Sequence, residues 1–323
     1  MMVWLHHVQY GLVIFTLFTQ AAVGAFWVLL VNDFLKRRDP GAVQDGFTRI
    51  GSFILLPLTA IGMVMSVTHL GQPHVAFRAL LNVESSWLSR EVWSLSFFFG
   101  LATIYAFLWW RHVKDAELRR LAGVFTALVG GAGILSQAMV YQIPGRPMWN
   151  HPSVFVQFFA SALLLGPLTV ATVYGFTWGR VISREAGEET VRSSHRRLGI
   201  TLVLAAGLSA IGIGWRGAFL SQGWAQARAN PQVAGWAAWG EATRSTALHV
   251  GASAVKEAFP FLILQIVLGL GVPLALAVGL RELHRRNASL RHCNRWIFAA
   301  LLLTLTGEIF GRALFYLSGK PWF

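Results

Sequence analysis

Eight stretches of this 323-residue chain stay apolar over roughly twenty residues or more, and that feature limits the fold more than any other. A helix rises 1.5 Å per residue, so about 20 residues match a bilayer core about 30 Å thick. In water such helices would be apolar all round with nothing to bury against, whereas in lipid each satisfies its own backbone polar groups. The runs fall at Val8–Leu35, Phe47–Leu70, Trp87–Arg111, Leu121–Ile143, Val154–Arg180, Leu198–Leu220, Ala247–Leu280 and Trp296–Leu317. A membrane β-barrel would read instead as ten-residue stretches of alternating polarity. The expected fold is therefore all-α and polytopic, a single domain over residues 1–323 with eight transmembrane helices. Pro57, Pro167 and Pro273 lie inside runs, where they are expected to bend helices.

An even number of spans puts both termini on one side, and the basic residues say which. The connections after the first, third, fifth and seventh runs hold two thirds of the 27 Lys and Arg, among them Lys36, Arg37, Arg119, Arg120, Arg196, Arg197, Arg285 and Arg286. The positive-inside rule places those connections in the cytoplasm and both termini on the non-cytoplasmic side. The same loops hold most of the basic excess behind the net charge of +13, so anionic lipid rather than nucleic acid is the expected partner of the charge. No Lys or Arg precedes the first run, and its apolar part is longer than a signal peptide's, so it is expected to remain as a span.

Cysteine and histidine usage restricts the redox chemistry. One cysteine, Cys293, cannot hold an iron–sulfur cluster, which is usually carried on four thiolates. A transmembrane b-type haem needs facing imidazoles within the spans, yet the ten histidines all fall at or near span ends. No paired His/Cys/Asp/Glu spacing marks a metal site in the sequence, so no haem, cluster or metal is expected in this chain. Redox work here would need a diffusible organic carrier or a partner's metals.

Three stretches concentrate the groups that could do chemistry. In "SVTHLGQPHVAFRALLNVESSWLSREVWS", a Gly and a Pro stop the second span after His69, a short amphipathic piece follows, and Ser86 is placed to cap the third span. Glu91 then lies about a turn and a half inside it. A carboxyl in a low-dielectric setting and an imidazole titrating near 6.5 can both take up protons near neutral pH, as oxidation of a quinol's two hydroxyls requires. The alternative is that His69 sits at the interface and Glu91 pairs with Arg78 or a backbone donor. In "MVYQIPGRPMWN", Tyr141, Arg146 and Trp149 offer a hydroxyl, a guanidinium and a flat wall, suited either to a ring-shaped carbonyl ligand or to interfacial anchoring. In "GEIFGRALFY", Glu308 and Arg312 stand four apart on one helix face, spaced for a structural ion pair.

At these three stretches, and in "VIFTLFTQAAVGAF" of the first span, the sequence resembles the membrane anchor subunit of bacterial dimethyl sulfoxide reductase, within the polysulfide reductase and NrfD-like integral membrane subunits. The resemblance implies an eight-helix anchor in a bacterial inner membrane, not catalytic for the terminal substrate. It would bind menaquinol or ubiquinol near the outer face and pass electrons to a four-cluster iron–sulfur subunit, which feeds a molybdopterin catalytic subunit in anaerobic respiration. His69 and Glu91 match the histidine and acid of quinol oxidation in that family, while Tyr141, Arg146, Trp149 and Arg78 would line the pocket. Arg90, before the acid, departs from the family pattern. The "YQIPGRPMWN" form also resembles anchors of sulfite-oxidising complexes, which reduce quinone instead. A secondary transporter would place its site between broken helices near the midplane, whereas the charges here crowd the span ends.

Overall fold

The computed structural model describes residues 9–36, 45–68, 73–111, 115–144, 146, 148–177, 188–229, 258–286 and 289–318. These residues form helices and connecting turns, and no strand occurs among them. The elements are α1 (Tyr10–Lys36), α2 (Asp45–Val67), a 3₁₀ helix (Pro73–Leu80), α3 (Trp87–Trp110), α4 (Ala116–Val140), α5 (Ser153–Thr177), α6 (Glu188–Ala229), α7 (Phe259–Leu264), a π-helical stretch (Gln265–Gly271), α8 (Val272–Arg285) and α9 (Leu290–Ser318). With α7, the π stretch and α8 counted as one, eight helices among the described residues are long and apolar enough to cross a membrane. Large side chains such as Val64, Leu128, Leu204 and Val278 point outward, as lipid-facing positions do.

Capping explains where helix boundaries depart from hydropathy. α3 begins where expected, with Ser86 Oγ accepting from the Ser89 N–H at 3.4 Å. α4 begins five residues before its expected start because Asp115 Oδ1 accepts from the N–H groups of Glu117 and Leu118, each at 3.0 Å. α9 likewise starts at Leu290 behind Ser289, whose Oγ accepts from the His292 N–H at 3.4 Å. Hydropathy registers the part of a helix that meets lipid, whereas a cap marks where the helix begins. α6 overruns its expected span at both ends, and the part of the Gly223–Thr243 connection beyond Ala229 lies outside the described residues, as do Lys256 and Glu257.

α1 lies at the centre of the bundle, against α2, α4, α5 and α9, and α5 in turn meets α6 and α9. The α1–α5 contact is backbone against backbone. A Cβ on Gly166 would lie 2.2 Å from the Gly24 carbonyl carbon, and one on Gly24 would lie 2.0 Å from the Ala162 carbonyl oxygen. Small residues spaced by four give two membrane helices this approach, which in lipid must replace the hydrophobic effect as the source of association. Gly166→Ala should therefore cost about 1–3 kcal/mol through overpacking, read as a lower unfolding midpoint in detergent. Around this contact Phe26 is fully buried, with Phe98 and Tyr105 edge-on at 5.8 and 5.0 Å between ring centroids.

The seventh span is broken as its sequence requires. Pro273 has no N–H, and its ring crowds the carbonyl four residues back, at Gly269. The helix accommodates this by opening into wider π turns over Gln265–Gly271 just before the proline. Gly269 in that stretch faces Gly307 of α9, where an added Cβ would lie 2.3 Å from the Gly269 nitrogen.

Candidate functional site

Glu91 lies in the second turn of α3 and is 4% exposed. Its carboxyl lies within electrostatic reach of the Tyr141 and Tyr316 hydroxyls, which stand 2.9 Å apart at the ends of α4 and α9. Among the described residues no hydrogen-bond donor meets this carboxyl. The Arg78 pairing raised as an alternative is not made: Arg78 is exposed on the 3₁₀ helix, where Phe77, Leu81 and Val83 lie exposed beside it. That segment is tied back to α3 by the Trp93 indole N–H, which donates to the Leu80 carbonyl at 3.0 Å. Arg90, one residue before the acid, turns away and donates from Nε to the Val83 carbonyl at 2.8 Å, its guanidinium lying over the Trp87 ring. His69 lies outside the described residues.

Below the tyrosines a chain of buried polar side chains runs towards the bundle interior. Arg312 Nη2 donates to Gln20 Oε1 at 2.8 Å and to Ser161 Oγ at 3.1 Å. The Ser161 hydroxyl donates to Glu308 Oε2 at 2.6 Å. Gln20 Nε2 donates to Gln137 Oε1 at 3.0 Å, and Gln137 Nε2 to Thr19 Oγ1 at 2.8 Å. The expected Glu308–Arg312 ion pair is thus relayed through Ser161, with the Arg312 guanidinium lying 3.9 Å from the Phe158 ring centre. Four helices, α1, α4, α5 and α9, meet in this network. Each polar atom so satisfied avoids the cost of several kcal/mol that an unpaired group incurs in hydrocarbon.

Trp149 is buried within the bundle. Its indole N–H donates to the Phe315 carbonyl at 2.8 Å, and the ring stacks on Phe315 while meeting Tyr141 edge-on. Arg146 covers it from outside, its guanidinium 4.6 Å from the ring centre. Tyr141 is enclosed by Trp149, Phe158, Phe315 and Tyr316, so both rings serve as packed wall. Beside them Arg216 of α6 donates to Ser318 Oγ at 2.6 Å. His151 stacks on Phe219 with Nδ1 2.8 Å from Ser153 Oγ.

Burial, and after it the nearby Arg216 charge, hold the His151 imidazole below its usual 6.5. The unfolded chain then binds the extra proton first. Stability from this group is fully present above about pH 6.5 and falls as pH drops through the unfolded and then the folded value. The unfolding midpoint should fall on acidification below that pH, and His151→Gln should flatten the fall relative to wild type.

The structure therefore brings Glu91, Tyr141, Glu308 and Arg312 into one neighbourhood and leaves Arg78 outside it. Gln20, Ser161, Tyr316 and Arg216 complete it; Tyr316 closes "GEIFGRALFY" and Gln20 lies in "VIFTLFTQAAVGAF", but the sequence singles out neither for the site, and Ser161 and Arg216 lie in none of the quoted stretches. Gln20 and Ser161 are visible in the sequence only as isolated polar residues in apolar runs, which in a membrane face the protein interior.

Comparison with known proteins adds the lineage. The family model of the DMSO reductase anchor subunit (DmsC) matches residues 3–209, most of the chain. The chain belongs to the DMSO reductase anchor subunit family. The YnfH chain of an anaerobic dimethyl sulfoxide reductase from Escherichia coli K12 is 32% identical over 169 residues, covering 51% of this chain and 57% of that protein. A protein of the anaerobic dimethyl sulfoxide reductase of Haemophilus influenzae Rd is 32% identical over 160 residues, 50% of this chain and 56% of that protein. More distantly, a sulfite dehydrogenase subunit of Allochromatium vinosum is 26% identical over 200 residues, 55% of this chain and 61% of that protein. The chain thus spans a little over half the length of the relatives it matches. The anchor-family match ends within α6, so "GEIFGRALFY" in α9 lies beyond it. As a member of the anchor-subunit family with eight apolar helices among the described residues, the chain is a multi-pass membrane protein.

Proposed function

We propose that this chain is the quinol-oxidising membrane anchor of a molybdopterin oxidoreductase complex of dimethyl sulfoxide reductase type. A menaquinol or ubiquinol gives up two electrons and two protons at the Glu91 end of the bundle and leaves as quinone. The electrons pass to a four-cluster iron–sulfur partner and on to a molybdopterin subunit. The protons pass to Glu91 and to His69, whose imidazole hydrogen-bonds a quinol oxygen. With one cysteine in the chain, the clusters belong to the partner. The observation that carries this reading is Glu91 itself, a buried acid within electrostatic reach of two tyrosine hydroxyls and with no hydrogen-bond donor among the described residues. An intramembrane acid in that condition is costly when ionised, and such residues mark proton or ligand pathways.

Tyr141 and Trp149 shape the inner wall, Arg146 and Arg78 lie nearer the surface, and the Arg312 network braces the helices behind. Both termini and the catalytic partner lie on the non-cytoplasmic side of a bacterial inner membrane, with the Arg-rich end in the cytoplasm. Membranes carrying the assembled complex should oxidise a quinol analogue and bind a quinone-site inhibitor at one site per anchor. A purely mechanical anchor would keep the complex on the membrane yet show neither property. Likeness to the sulfite dehydrogenase protein favours a second reading, with the same site run towards quinone reduction. Reduction of quinone by the complex with sulfite as donor would select it.

A further inference from the structure

At the opposite, Arg-rich end of the bundle three side chains from three helices converge: His195 of α6, His284 of α8 and Cys293 of α9. One potential ligand atom from each lies within 4.8 Å of the other two. The two imidazoles stack with centroids 5.1 Å apart, and Nδ1 of His195 stands 3.1 Å from Nε2 of His284. His195 is 3% exposed and Cys293 fully buried. The outward-facing ring nitrogens, His195 Nε2 and His284 Nδ1, are buried without a hydrogen-bond partner. A shared proton between two neutral rings satisfies only the facing pair and leaves this cluster polar, buried and underused.

We propose that His195, His284 and Cys293 bind a zinc ion that clips α6, α8 and α9 together at the basic end. Imidazole nitrogen and thiolate are zinc's ordinary ligands, at about 2.0–2.1 and 2.3 Å. Two nitrogens on one tetrahedral ion stand about 3.3 Å apart, close to the 3.1 Å found here, so the rings need little movement. Sγ must close in by about an ångström from the outer limit, a rotamer-scale shift. Binding releases the thiol proton and moves the one ring proton shared between the facing nitrogens to the other nitrogen of its ring, the second ring already carrying its proton there. The Arg192 guanidinium, which donates to the His284 carbonyl at 3.1 Å, places a positive charge near the thiolate so formed. An ion can reach the site from a cavity of about 240 Å³ between α1, α5 and α6 that His195, Ser194 and Arg197 help to line. A water from that cavity supplies the fourth ligand.

The probe is zinc itself, offered to the full chain in nanodiscs and then dialysed against a weak chelator. Wild type should retain about one zinc per chain, and the zinc K-edge should show two nitrogen-type neighbours and one sulfur at about 2.3 Å. Cys293→Ser should lose the sulfur shell, and His284→Ala should weaken retention at least 10-fold. Circular dichroism and elution volume verify that each variant is folded. Because Cys293 is the sole cysteine, the sulfur shell in wild type decides the matter even if a variant misfolds. Zinc retained without sulfur, or no zinc retained, overturns the proposal.

Discussion

Glu91→Gln in the assembled complex should leave membrane attachment intact and lower quinol oxidation at least 100-fold. Glutamine has nearly the shape of glutamate, so the packing around α3 is kept and no cavity opens. What is lost is a group that can hold a proton. General base catalysis by a positioned side chain contributes about 10² to 10⁴ in rate, and the nearby Glu308 is engaged by Ser161 in the Arg312 network. The loss should fall on kcat more than on KM, because the carboxyl acts as protons leave rather than as the ring binds. His69→Ala is the companion measurement. Unchanged turnover in both variants would remove the two residues from the mechanism, whatever the helix count.

Arg312→Leu is the change expected to damage the fold most. It takes away the donors to Gln20 and Ser161 and leaves Glu308 buried with a single serine as partner. Breaking a buried charge pair from one side costs about 3–5 kcal/mol, because the remaining group stays desolvated. The unfolding free energy in detergent, or the amount of complex recovered from membranes, reads the loss. Adding Glu308→Gln should restore part of it, since two coupled groups removed together leave no stranded charge, and such coupling is commonly about 0.5–3 kcal/mol. A double variant as unstable as the sum of the singles would mean that Ser161 insulates the two groups rather than linking them.

The eight spans were legible because a bilayer imposes a length and a polarity that no neighbouring helix can override. Ser86 was legible as a cap for the same local reason. The early start of α4 at Ala116 was missed, although Asp115 signalled it, because Glu117, Arg119 and Arg120 in its first turns dilute the hydropathy. The site was half legible. Glu91, Glu308 and Arg312 stood out as charges in apolar surroundings. Which of them meet depends on which helices are neighbours, and the α1–α5 contact through Gly24, Ala162 and Gly166 is a long-range result, as is the approach of α9 to α1. Ser161 between Glu308 and Arg312 could not be read from a helix wheel, since it comes from another helix. The His195, His284 and Cys293 cluster was invisible for the same reason, because spacing rules detect ligands on one segment and these lie on three.

The wide turns ahead of Pro273 behave as a phase-setting insertion in the seventh span. One residue advances an α-helix by about 100°, so deleting a single residue there and tightening the coil would swing everything downstream by more than a quarter turn. Leu276 and Leu280 would leave their buried positions, and His284 would rotate away from His195. The two halves of that span are thereby indexed independently, one to the tyrosine end and one to the arginine end, and a frame change of one residue should uncouple them without shortening the span appreciably.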